Sequence, residues 1–503
     1  MKYLPPLRTL RANLGAARAV VLATAVLATG LLGPVPRTFA QAADRETVRQ
    51  APDNAELLRL LEAQARRIEQ LEARLEAAVA AAAERSIGDG VAAAAINEAA
   101  KANPTLELSQ RVEALEANAK AHPTLNWSRG AAPRLTSSDG SLSFRLRGRL
   151  FADVSGTGGS RFGELNNTGT EIRSLRFGAE GTYNRLSWVI EGDFADNSVA
   201  WKSAYVAWGH ELLGKRSELT VGHRLEDRGF DGASGGGNVP FQDRNVVGLA
   251  LQSARGNFGV GLTERITGEH WHASFAVTGN DLSNAGNNRD TVTYSTRAHI
   301  NPIKSESGTL HLGAWALYED IAKGDAIGLR NWGQGGHFND NAKTRPGALA
   351  DVTSAHAYGA ELAGFLGPFW AYGEWGLREL KSAVLGRRDY EAYAVSAGWF
   401  FLGGAKPAYN ARAGTWAGVK VANPVTAGGA GVWELKARYE SLDYTKLPTG
   451  GEGEAWTLGA NWYLNNNSRI LFDAVYWETN NRSGAYQGAD DGYTLNARLQ
   501  VTF

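Results

Sequence analysis

YTLNARLQVTF, residues 493–503, places Tyr493, Leu495, Ala497, Leu499, Val501 and Phe503 on one parity. Thr494, Asn496, Arg498, Gln500 and Thr502 fall on the other. Strict alternation has the two-residue period of a β-strand. About ten residues are enough for a tilted strand to cross a bilayer. A soluble sheet turns such an apolar parity toward a core, whereas a membrane barrel turns it to lipid and the polar parity to water. One strand leaves both readings open.

Working outward from it, the same pattern recurs back to residue 141. In SLSFRLRGRLFADV, residues 141–154, Leu142, Phe144, Leu146, Leu150, Ala152 and Val154 oppose Ser143, Arg145, Arg147, Arg149 and Asp153. Three arginines on one parity do not suit a soluble core, but they fit a water-filled lumen. Trp433, Leu435, Ala437 and Tyr439 oppose Glu434, Lys436, Arg438 and Glu440, and Ile470, Phe472, Ala474 and Tyr476 oppose Arg469 and Asp473. Aromatic residues near strand ends (Trp201, Trp208, Trp370, Trp375, Trp399, Phe400) suit the girdles at membrane interfaces. About 17 candidate strands can be drawn, with weak signals between 245 and 278; a barrel with both ends on one side needs an even number. The expectation is therefore an all-β, 16-stranded antiparallel transmembrane barrel.

Composition agrees. The chain has 503 residues, 52 basic and 52 acidic, so its neutral balance gives no reason to expect nucleic acid as a partner. Gly 60, Trp 15, Tyr 16 and Phe 17 coexist with a mean hydropathy of −0.29. Alternating strands hide apolar surface from such an average, whereas membrane helices do not. The absence of cysteine removes disulfides and thiolate metal sites.

The N-terminal region differs from the rest. Lys2, Arg8, Arg11 and Arg18 precede the apolar run AVVLATAVLATGLLG, residues 19–33, and Thr38 and Ala40 precede Gln41. This is the pattern of a secretory signal peptide over residues 1–40; a membrane anchor is the alternative, but the run falls short of the roughly 20 residues needed to span. Residues 41–130 are expected to be a periplasmic coiled-coil helix and linker. Leu57, Leu61, Gln64, Ile68, Leu71, Leu75 and Ala78 follow heptad spacing, with Glu and Arg on the flanks. The helix is either an oligomerising stalk or a solvated helix without a partner. Residues 131–503 then form the barrel, in a bacterial outer membrane with its lipid as neighbour.

Connections differ in length. Residues 182–185, 365–368 and 465–468 read as tight turns, and 226–243, 321–353 and 403–431 as long loops. EDRGFDGASGGGNVPFQD, residues 226–243, is glycine-rich and follows the fifth strand. It either folds inward and narrows a pore or lies outside.

Four segments resemble the phosphate-selective porin family of Gram-negative outer membranes. They are EIRSLRFGAEG (residues 171–181), the glycine- and phenylalanine-rich stretch 398–424, WELKARYESLDY (433–444) and TLGANWYL (457–464), the last followed by Asn465 and Asn467. The resemblance covers residues 142–503. It implies a 16-stranded homotrimeric porin with an inward-folded third loop and basic residues guiding small anionic solutes such as phosphate. The expected pore-lining residues are Arg145, Arg147, Arg149, Arg176, Lys436, Arg438 and Arg498. The expected constriction residues are Arg224, Glu226, Asp227, Arg228, Asp231, Asp243 and Arg244. The family's lysine and Pro-Phe before the third loop are missing here, where residues 222–229 read GHRLEDRG. Phe503 is the expected contact for the barrel-assembly machinery.

Enzyme signatures are missing: no HExxH, GxSxG or Walker pattern occurs. No catalytic residue, cofactor or metal is expected. His270 and His272 make too small a pair for a metal site. SGTGGS at 155–160 reads as a loop, and Asp490 and Asp491 as solvated turn residues. A structural outer-membrane protein tethered through its coiled coil is the alternative function, and a barrel lipase or protease a remote third.

Overall fold

The computed structural model describes residues 124–126 and 132–503, apart from 196, 280–281, 283–288, 324–326, 328 and 340–341. The expected signal peptide and heptad helix lie outside the described residues. Two three-residue strands, Thr124–Asn126 and Arg134–Thr136, pair with each other, and the second lies against the start of the barrel.

The barrel strands are β1 (Leu142–Gly158), β2 (Thr168–Tyr183), β3 (Leu186–Asp193), β4 (Ala200–Leu212), β5 (Lys215–Leu225), β6 (Phe258–Thr267), β7 (Trp271–Gly279) and β8 (Val292–Lys304). They continue as β9 (Gly308–Asp320), β10 (Val352–Leu366), β11 (Phe369–Ser382), β12 (Gly386–Leu402), β13 (Val432–Asp443), β14 (Glu452–Tyr463), β15 (Ser468–Asn481) and β16 (Gly488–Thr502). Each pairs antiparallel with the next. The stretch that opened the sequence reading closes the ring: β16 pairs with β1 from Tyr493 opposite Gly158 to Thr502 opposite Arg149. Closure leaves no open edge, which backbone groups in hydrocarbon require.

The parities separate as the alternation predicts. Leu142, Phe144 and Leu146 are exposed on the outer wall, while Ser143 between them is buried. Short turns join β2 to β3 and β4 to β5; in the second, Leu213 and Gly214 both take positive φ, the geometry of a tight two-residue hairpin turn.

Several expectations need correction. Trp370 and Phe400 point inward and are buried, and Trp370 donates to Glu434 at 2.7 Å, so neither belongs to a lipid-facing girdle. Residues 155–158 extend β1, and Asp490 lies within β16, accepting from Ser160 Oγ at 2.7 Å. The apolar run 246–250 is a short helix, and both β6 and β7 exist as separate strands, which gives the even count. The long segment 403–431 follows an even-numbered strand, so it emerges at the same end as the short turns.

The interior is not uniformly aqueous. Residues 226–257, parts of 321–351, and 403–431 fold into the barrel and bring their own apolar side chains. One cluster joins Val246, Val247, Ala250, Leu251 and Trp332 to Trp315, Leu317 and Leu380 of the wall. A second joins Phe230, Phe241 and Trp416 to Phe365, Trp370 and Tyr372. Burying each such side chain stabilises by about 1.5–3 kcal/mol. That gain explains why inward parities of β9 to β12 carry aromatic and aliphatic residues, among which the charges Glu319, Glu361, Glu374 and Arg378 are buried.

Candidate functional site

The loop after β5 begins with a charged knot. Glu226 pairs with Arg228 at 3.3 Å and Arg255 at 3.0 Å, and Asp227 with Arg265 at 3.1 Å and Arg297 at 3.0 Å. Two short helices follow, α1 (Phe230–Ala233) and α2 (Val246–Ala250). Asn245 caps α2 by accepting from Gly248 N at 2.7 Å, the usual role of a short polar side chain ahead of an apolar run. Asp231 accepts from Asn245 N at 2.7 Å and from the Trp416 indole at 3.0 Å; burial raises its carboxyl pKa.

Between the helices the chain crosses to the far wall. Gln500 Nε2 donates to Gly237 O at 2.7 Å, Arg469 to Val239 O at 2.7 Å, and Lys436 to Pro240 O at 2.7 Å. Asp473 accepts from Gln242 N at 3.0 Å, and Glu440 from Val246 N at 2.7 Å. A glycine-rich loop has few side chains to pack, so wall side chains hold it through its backbone.

On the β1–β5 side this inward-folded loop, the strap, leaves a cavity of about 700 Å³. Arg145, Arg147, Arg149, Arg176, Arg224 and Arg244 line it, against Glu191 as the one acidic side chain among its lining residues. Some of this charge is neutralised. Arg145 pairs with Glu180 at 2.6 Å, Arg147 with Glu180 at 3.0 Å and Glu191 at 2.9 Å, and Arg176 with Glu191 at 3.1 Å and Asp193 at 3.0 Å. Arg149 instead donates to Ser174 Oγ at 2.9 Å and stacks over the Phe151 ring. Arg244 donates to the carbonyls of Asp231 at 3.1 Å and Ser234 at 2.6 Å; burial pulls its pKa down to about 10, still cationic at neutral pH. Carbonyls and hydroxyls satisfy geometry without cancelling charge, so these two arginines carry the net positive field of the cavity. A second space of about 20 Å³ lies beyond Arg244, between Asp243, Arg438 and the 332–336 segment.

The seven basic wall residues therefore divide. Arg145, Arg147, Arg149 and Arg176 surround the larger cavity. Lys436, Arg438 and Arg498 lie under the strap, paired with Asp473 at 2.7 Å, Glu440 at 2.8 Å and Asp153 at 2.6 Å. Of the expected constriction residues, Arg224 is not in the loop but near the end of β5, where its inward side chain reaches the larger cavity together with Arg244 of the loop, whereas Glu226, Asp227, Arg228 and Asp231 are buried in the knots described. Asp243 pairs with Arg173 at 3.4 Å; burial pushes its carboxyl up, but Arg173, Arg498, His337 and Arg438 outweigh it and hold its pKa at about 2.

Sequence reasoning missed one constellation. His272, His299 and His311 come from three neighbouring strands and are almost fully buried. His270, by contrast, sits in an exposed turn beside Glu269. No motif spacing unites the three; the signal was the inward parity of β7, β8 and β9 read together. The 403–431 segment packs against this cluster. Trp416 lies on the rings of Phe230 (5.2 Å between centroids), Phe365 (5.8 Å) and Trp370 (5.0 Å), and its backbone N donates to Ser234 Oγ at 3.0 Å.

An uncharacterized protein of Caulobacter vibrioides is 24% identical over 412 residues, covering 76% of this chain and 78% of that one. Among solved structures, the trimer form of OmpT from Vibrio cholerae is 10% identical with a TM-score of 0.46, covering 72% of this chain and all of that one. The anion-selective porin of Comamonas acidovorans is 12% identical with a TM-score of 0.45, again over 72% of this chain and 100% of its own. Residues 144–503, the whole barrel but for its first two residues, match the family described as phosphate-selective porin O and P. The chain belongs to that family and is a β-barrel porin of the bacterial outer membrane, not an enzyme.

Proposed function

We propose that the protein is a passive diffusion channel for small hydrophilic solutes that prefers anions, phosphate among them, and works as a homotrimer. The supporting observation is the arginine cavity: six guanidinium groups, of which Arg145, Arg147 and Arg176 pair with Glu180, Glu191 and Asp193, while Arg149 and Arg244 are bonded to neutral oxygens only. Uncancelled positive charge in a confined space lowers the barrier for anions and raises it for cations. Arg145, Arg147, Arg149, Arg176, Arg224 and Arg244 form the ion path in this reading, with Asp243 and Arg438 at its narrowest point. Lys436 and Arg498 fix the strap. In the same reading residues 1–40 are removed on export, and residues 41–130 form a periplasmic stalk.

The test is conductance in planar bilayers. The purified protein should give chloride current that added phosphate reduces, because a multiply charged oxyanion occupies the arginine site longer. A protein that inserts but carries no current would overturn the channel.

A further inference from the structure

The arginine cavity also has apolar walls. Tyr205 on β4 and Phe258 at the start of β6 both line it, and both are half-buried. Each ring stands beside a guanidinium: Arg224 Cζ lies 5.6 Å from the Tyr205 ring centre, and Arg176 Cζ 5.8 Å from that of Phe258. His223 stacks on Phe258 with 5.7 Å between centroids. Tyr205 Oη makes no hydrogen bond to any of the described residues, so its hydroxyl is open to a molecule in the cavity. An inorganic anion drawn through by charge alone gains nothing from either ring.

The charged side of the cavity has a matching opening. Arg149 spends only Nε on the wall, at Ser174 Oγ. A Cβ at Gly236 would lie 3.2 Å from Arg149 Nη1, so the glycine keeps room beside the guanidinium fork. That fork fits two oxygens of one oxyanion group. At about 700 Å³ the space falls among sites that enclose drug-sized organic ligands, roughly 300–1,000 Å³, which combine aromatic walls with a few placed polar groups. Asn466, Asn467 and Thr502 also line it, so it opens at the end of the short turns. The space beyond Arg244, about 20 Å³, is too small for a ring, so a ring that enters is held there.

Resting on the anion-channel reading above, we propose that this cavity is a binding site for aromatic oxyanions: a phosphate monoester, carboxylate or sulfonate carried on a single ring. The oxyanion group sits on Arg149 and Arg244, whose charge no carboxylate cancels, and the ring packs against Tyr205 and Phe258. Bound there, such a molecule obstructs the path that chloride takes.

Phenyl phosphate and methyl phosphate share a charged group and differ in the ring, so the pair isolates its contribution. Added to both sides of a planar bilayer, phenyl phosphate should halve the chloride current of the purified protein at about one tenth of the concentration that methyl phosphate requires. Tenfold corresponds to about 1.4 kcal/mol, the size of one aromatic or cation–π contact. With Tyr205→Leu and Phe258→Leu together the ratio should fall to about one; should the double variant not insert, Tyr205→Leu alone should bring it below about threefold. Rings that only steady their arginines would shift both compounds alike and leave the ratio standing, which would overturn the site. Equal half-blocking concentrations in a parent whose zero-current potential still has the anion sign would overturn it too, with the anion reading intact. A potential of the cation sign would refute that reading and the site with it.

Discussion

Trp416→Ala tests whether the inserted segment is held as a separate, locally stable unit. The indole is 5% exposed, packs edge-on against four aromatic rings, those of Phe230, Phe365, Trp370 and Tyr372, and donates to Asp231. Removing it costs about 3–5 kcal/mol by the usual measure for a buried aromatic truncated to alanine. The segment has no strand pairing to the wall; its own hairpin is two residues on each side, Tyr409–Asn410 with Thr415–Trp416. The loss should therefore fall on local opening and leave the barrel intact. At 1.4 kcal/mol per factor of ten, the population with the segment displaced should rise by about two to three and a half orders of magnitude. Single-channel recording should show larger or more frequent high-conductance states, with the urea midpoint of the barrel nearly unchanged. An unchanged conductance combined with a lowered barrel midpoint would refute the reasoning, because the segment would then be an inseparable part of the fold.

Other consequences follow from the charge arrangement. An ion passing about 5 Å from Arg149 feels roughly 0.5–1 kcal/mol, opposite in sign for anions and cations, in screened aqueous surroundings. Arg149→Ala should therefore lower the anion-to-cation permeability ratio on the order of tenfold, as read from the reversal potential. Arg498→Ala leaves Asp153 buried without its partner and should destabilise the barrel by about 3–5 kcal/mol; Asp153→Asn with Arg498→Met should recover most of the loss in urea unfolding. The Asp243 carboxyl is held at about 2, below its ordinary 3.8, so its contribution is complete above about pH 4 and disappears as pH falls toward 2. Thermal unfolding of Asp243→Asn should trail the parent at neutral pH and converge with it at the acid end.

Strand parity was legible because it is a local property: Leu142, Phe144 and Leu146 against Arg145 and Arg147 decide inside from outside without knowing any partner. The third loop could be located, since glycines and charges follow the fifth strand, but its inward course depended on Arg469, Lys436 and Gln500, which lie far along the chain. Trp370 and Phe400 were misassigned because an aromatic ring at a strand end suits a lipid girdle and a loop-filled interior equally well. The end from which residues 403–431 enter could be known only by counting strands, and the histidine cluster only by aligning three of them. Charge on a wall residue did not reveal whether it met solvent or a buried carboxylate, which is why Arg149 and Arg498 looked alike in sequence.

The most direct measurement is the zero-current potential of the unmodified protein in a planar bilayer separating concentrated from dilute KCl. The uncancelled charge of Arg149 and Arg244 predicts the sign produced by chloride moving more readily than potassium. A potential of the opposite sign would contradict the account.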